Sequence, residues 1–167
     1  GKTTIVTTGE YCPGAEAYQA GARLEPSGLD VSTQGRISYG AYAHGGEVAL
    51  SNSSFATEGG TAYGLLAEGA TSSLSAANAK ITTRGEGASG ALSEAGARME
   101  LSDTQVTVSG AGASGLIASG MGSTLDAARV QVQTAGAMLD GRGATGVEAQ
   151  FGSSLSVTGA STVQTEG

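Results

Sequence analysis

The stretch ITTRGEGASGALSE at 81–94 returns as VTVSGAGASGLIAS at 106–119, 25 positions later, and an earlier copy, FATEGGTAYGLLAE, starts at Phe55. Self-similarity at such a period marks an array of stacked units, each too small to bury a core alone. The frame is an apolar residue, Thr two positions on, Gly two further on and a second Gly after five more. It reads Ile5-Thr7-Gly9-Gly14, Val31-Thr33-Gly35-Gly40, Phe55-Thr57-Gly59-Gly64 and Ile81-Thr83-Gly85-Gly90. A fifth copy, Val106-Val108-Gly110-Gly115, has Val in the Thr place. The second glycines, continued to Gly146, are separated by 26, 24, 26, 25 and 31 residues.

Each second Gly opens a short alternating run: GAEA, GAYA, GLLA, GALS, GLIA and GVEA. After a further Gly-bearing turn comes another apolar position, read as Leu24, Leu50, Leu74, Leu101, Leu125 and Leu155. Alternation at period 2 is a strand signal. Helical spacing is absent, and each Gly would cost a helix about 1 kcal/mol relative to Ala. The pattern therefore predicts an all-β chain folded as a parallel β-solenoid (a β-helix) of about six coils. Each coil has about 25 residues and three short strands, and rises roughly 4.8 Å. The Ile/Val/Phe and Leu columns are the expected fill. Thr7, Thr33, Thr57 and Thr83 share the inward parity, with hydroxyls expected to meet neighbouring rungs or turn amides. The outward column beside them, read as Val6, Ser32, Ala56, Thr82, Thr107 and Gln131, is too irregular to match an ice lattice.

Composition agrees with a narrow core. Twenty-nine Gly, two Phe and no Trp leave few large side chains for a broad interior, while 39% apolar residues are too many for a disordered linker. The formal charge of −7, with Lys and Arg scattered singly, gives no basic stripe for nucleic acid. No run of 18 apolar residues exists to span a bilayer as a helix, and lone Cys12 allows no internal disulfide. The whole of 1–167 reads as one solenoid segment. Its long step carries a surplus in TAGAMLDGRG, about 134–143, expected to bulge as an exposed loop with Met138, Leu139, Asp140 and Arg142.

The string IVTTGEYCPGAEA, followed by units ending in Leu50-Ser51, Leu74-Ser75 and Leu101-Ser102, resembles the passenger domain of pertactin-like autotransporters. The resemblance implies a right-handed parallel β-helix displayed at the Gram-negative cell surface, or secreted, by a C-terminal barrel. This chain would then be an excerpt of a longer passenger, touching a membrane only through a barrel it does not contain. The family's best-known Arg-Gly-Asp tripeptide is missing, the nearest string being Arg84-Gly85-Glu86.

No HExxH, GxSxG or phosphate-loop motif occurs, and no cofactor or metal is expected. Stacking would align His44, Glu68 and Glu94, which is either a polar edge or an acid–base and metal site. Polysaccharide-cleaving β-helices bring several acids to one groove, whereas the four Asp here fall far apart in the unit frame. Tyr39 and Tyr63 share a column with Tyr42 nearby, an arrangement suited to carbohydrate or protein contacts. In the second strand the outward column is Glu16, Tyr42, Leu66, Leu92, Ile117 and Glu148. A continuous apolar stripe of this kind marks an interface. The sequence thus reads as a non-catalytic adhesion module. Its partner would be a host-cell protein, a glycan or a second copy of the rod. A polysaccharide-active enzyme and a plain structural stalk are the alternatives.

Overall fold

The computed structural model describes residues 1–166, in which nineteen strands, β1–β19 in chain order, account for all regular structure. Every third strand returns to the same sheet. The first sheet contains β1 (Thr3–Thr7), β4 (Leu29–Thr33), β7 (Ser54–Thr57), β10 (Lys80–Thr83), β13 (Gln105–Val108), β16 (Gln131–Ala135) and β19 (Thr162–Glu166). The second contains β2 (Ala15–Tyr18), β5 (Ala41–His44), β8 (Tyr63–Glu68), β11 (Ser89–Glu94), β14 (Ser114–Ser119) and β17 (Thr145–Gln150). The third contains β3 (Arg23–Leu24), β6 (Glu47–Ser51), β9 (Ser73–Ala77), β12 (Arg98–Ser102), β15 (Thr124–Ala128) and β18 (Ser154–Thr158). All pairings between these strands are parallel, so the chain is a β-solenoid of about six turns.

The register reproduces the repeat. Ile5 faces Val31, Val31 faces Phe55, Phe55 faces Ile81, Ile81 faces Val106, and Val106 faces Val132. This column, the small column Ala41, Leu65, Ala91 and Leu116 of the second sheet, and the third-sheet column form one buried cluster along the rod. The third-sheet column is Leu24, Val48, Leu74, Met99, Leu125 and Leu155. Two of the leucines expected there belong elsewhere: Leu50 and Leu101 flank Ala76, two residues further along the strand. Both positions face inward, so alternation alone leaves a slip of two residues open. The outer column of the first sheet is corrected likewise: Thr107 faces Gln133, and Gln131 faces Gln105.

The repeated glycines are explained by close approach. A Cβ at Gly35, Gly59, Gly85 or Gly110 would overlap the carbonyl oxygen of the equivalent glycine one coil before. A Cβ at Gly64, Gly90 or Gly115 would overlap the branched methyl of Ile81, Val106 or Val132. A left-handed backbone also recurs in a column with side chains. Asn52, Asn78, Asp103 and Arg129 all have φ between 50° and 53° at the turn leading into the first sheet. Asn and Asp tolerate that region best among residues with side chains.

The threonines are inward and fully buried at Thr33, Thr57, Thr83 and Thr134. Their hydroxyls do not bridge rungs. Thr7, Thr33 and Thr83 donate to the carbonyl five residues on, within the same coil, at 2.9, 3.5 and 3.3 Å. Thr134 has no such partner, because five residues on the chain has entered the insertion. Thr57 also lacks one, and nothing in the structure explains it.

Coils are stapled by serine hydroxyls. Ser72 Oγ accepts from Gly45 N at 2.6 Å and donates to Glu68 O; Ser123 Oγ accepts from Gly96 N at 2.9 Å and donates to Ser119 O. Ser53 Oγ accepts from Leu29 N at 3.1 Å at another corner. Each hydroxyl satisfies an amide one coil before, in a turn at Gly45 and Gly96 and at a strand start at Leu29.

Candidate functional site

The outer face of the second sheet collects the features expected to contact a partner. Its two outward columns are Glu16, Tyr42, Leu66, Leu92, Ile117, Glu148 and Tyr18, His44, Glu68, Glu94, Ser119, Gln150, in the expected register. Tyr42 and His44 lie two apart on one strand and so share this face.

Five rings form a continuous tract. Tyr18 meets His44 edge-on, with centroids 5.1 Å apart, and His44 stacks on Tyr42 at 5.4 Å. Tyr42 meets Tyr39 edge-on at 5.1 Å, and Tyr39 stacks on Tyr63 of the next coil at 5.7 Å with planes 24° apart. Offset and edge contacts at these distances suit the ring quadrupoles and hold the tract rigid. Tyr39, Tyr42 and Tyr63 are half-buried, and Tyr18 is 56% exposed.

The carboxylates lie among these rings. Tyr42 Oη donates to Glu68 Oε2. Burial, helped by this bond and by the charge of Glu68, pushes the Tyr42 phenol well above its ordinary range. Burial pushes Tyr39 up to about 12, with Tyr63, Glu68 and Glu94 adding to the shift. Glu94 is raised above an ordinary carboxyl, first by desolvation and then by Glu68 on the neighbouring rung. His44 and Glu68 are thus occupied by ring and phenol contacts. Among the described residues, no group of three or more His, Cys, Asp or Glu is placed to hold a metal.

The apolar stripe differs from expectation. Leu66 and Leu92 are only 2% and 4% exposed, and Ile117 is half-buried. They do not stand in solvent as an open interface. Their parity is nevertheless outward, and neither belongs to the axial core cluster. In a column rising about 4.8 Å per rung, each central side chain has a neighbour against it above and below. Here those neighbours are Tyr42 and Ile117.

The insertion lies on the same side of the rod. Leu139 and Arg142 exchange backbone hydrogen bonds of 2.8 and 2.9 Å across Asp140 (φ 47°) and Gly141 (φ 81°), a two-residue hairpin tip. Met138, Asp140 and Arg142 are exposed, while Leu139 is half-buried beside Gly112. Arg142 Nη2 donates to both carboxylate oxygens of Glu148 at 3.2 and 3.3 Å. The half-buried Tyr63 phenol is raised by desolvation and by the charge of Glu94, with Arg142 acting in the opposite sense. The Asp-Gly pair was a legible turn signal, but the return of the hairpin toward the tyrosines was not.

Elsewhere, a shallow groove on the third sheet is lined by Ser75, Glu100, Asp126 and Ser156. Asp126 lies opposite Glu100, and Arg98 reaches both. The four Asp are dispersed as expected, but a Glu on the adjacent rung gives one of them a carboxylate neighbour. Tyr18 and His44 join the expected contact residues Tyr39, Tyr42 and Tyr63 in the structure. The signal was present, since both stand in the outward column beside Tyr42.

The chain matches no protein-family model and no curated protein sequence.

Proposed function

We propose that the chain is a non-catalytic binding rod, an adhesion or interaction module that presents the outer face of its second sheet to a partner. The observation that carries this reading is the ring tract Tyr18–His44–Tyr42–Tyr39–Tyr63, fixed by stacking on a rigid scaffold and open on one side. Tyrosines supply large contact area at low entropic cost, which is why they dominate binding hot spots. The resemblance to autotransporter passengers supports surface display of such a rod. It would place the partner outside the cell, as a host protein or glycan. The test is binding of the chain to host-cell surfaces and glycan arrays, compared with Tyr39→Ala/Tyr63→Ala. Loss of binding in the double variant, with an unchanged circular dichroism spectrum, supports the reading. Binding that ignores both tyrosines refutes the ring tract as the contact, and absence of binding leaves the structural stalk.

A further inference from the structure

The rings of this face share it with carboxylates that have no counter-ion. Glu68 and Glu94 are register partners on adjacent rungs, and among the described residues neither meets Lys, Arg or His in an ion pair. Several carboxylates on other faces have been matched, Glu58 by Arg84, Glu100 and Asp126 by Arg98, and Asp103 by Arg129, although among the described residues Asp30 of the first sheet meets only the Ser54 hydroxyl. Glu16 opens the neighbouring outward column of this face and, among the described residues, also meets no Lys, Arg or His in an ion pair. At the other end of that column one carboxylate has been matched. Arg142, from the hairpin, donates through Nη2 to both carboxylate oxygens of Glu148. The chain thus seats a guanidinium of its own on a carboxylate of this face at Glu148, and two rungs away leaves Glu94 without one.

We propose that the outer face of the second sheet docks a basic protein segment, whose Arg or Lys side chains lie over the Tyr39, Tyr42 and Tyr63 rings and pair with Glu68 and Glu94. This rests on the binding-rod reading above and names its partner. Three physical effects act together. A cation over an aromatic face is attracted by the ring quadrupole. A guanidinium does this best, being planar, weakly hydrated and able to fork onto a carboxylate. A cation between Glu68 and Glu94 also removes the repulsion of two partly desolvated like charges, a gain available only in the complex. A neutral glycan would use the rings and leave that repulsion in place.

The experiment measures anisotropy of labelled hexa-arginine, hexa-lysine and hexa-glutamate, with chitosan oligomers as a non-protein cation, titrated with the chain in 0.15 M salt. Glu68→Gln/Glu94→Gln is compared with Asp30→Asn/Glu166→Gln, an equal charge change on the first sheet. We expect hexa-arginine to bind best, and the face variant to weaken it by about tenfold or more, as for loss of a charge-paired contact. The control variant is expected to weaken it less than about twofold. Tyr39→Ala/Tyr63→Ala should weaken it by several-fold. Equal loss in both charge variants reduces the effect to net charge and overturns the proposal. So does preference for chitosan, or no binding of hexa-arginine at millimolar chain. Glycan-array binding that needs the tyrosines but survives Glu68→Gln/Glu94→Gln would sink this inference and leave the binding-rod reading standing. Failure of every ligand here sinks this inference, and absence of binding to host-cell surfaces and glycan arrays as well would remove the binding-rod reading.

Discussion

Gly85 carries no side chain because the space where its Cβ would stand holds the carbonyl oxygen of Gly59. The obstacle is backbone in a stacked strand exit and cannot swing aside. Gly85→Ala is therefore expected to cost about 3 kcal/mol or more, at the upper end of overpacking. Gly143, in the insertion, has open space around its Cβ position. Gly143→Ala should stay within about 0.5 kcal/mol, as a surface change does. Urea unfolding of the two variants checks the pair. Ala95 makes the opposite case. It holds φ 54° at a turn where the coils above and below have Gly69 and Gly120. Relief of left-handed strain should make Ala95→Gly more stable by up to about 1 kcal/mol. Glu94 gives a prediction in pH. Its folded pKa is raised, so the folded state holds a proton that the unfolded chain has released. That group's contribution therefore favours folding below the raised value and declines as pH rises through it. The other titratable groups acting on this site are Glu68, Tyr39 and Tyr63. Glu94→Gln should raise the melting temperature at neutral pH and lose that advantage at acid pH. An advantage that grows on acidification would contradict the assignment.

Strands are where reading from sequence reached furthest and where it stopped. Alternation assigned each side chain of the second sheet to its face, and the columns in the structure are those the spacing implies. Alternation says nothing of what lies over a face. Leu66 and Leu92 point away from the axis and are still dry, because Tyr42 and Ile117 close the column on either side. In the third sheet, Val48 and Leu50 both face inward, and parity has no means of choosing between them. The corner serines are illegible for a different reason: in sequence Ser72 and Ser123 look like ordinary surface residues until the coil beneath supplies an amide. Burial of the stripe has a consequence that can be measured. Leu66→Ser or Leu92→Ser should destabilise the fold by about 2–4 kcal/mol, as for buried leucines elsewhere. An exposed stripe would have shown almost no change. The hairpin is the converse case. Its tip meets solvent and should be the first site of limited proteolysis, at Met138 to Arg142, with the coils left intact. Initial cleavage within β8 or β11 would show that the coils are less protected than their burial implies.

Across the whole molecule, the hydrogen bonds between coils run along the rod while the strands run across it. Tension applied between the two ends therefore opens the stack as a zipper, one rung at a time, and does not shear all rungs together. Each coil released should add about 80–90 Å of contour length, from roughly 25 residues at full extension. In an optical trap the trace should be a staircase of nearly equal, low-force steps. The step spanning the hairpin, where Val132 is followed by Val163 in the register, should be visibly longer than the rest. A rod built this way is a poor tether under steady axial load and a good one for giving way in measured lengths.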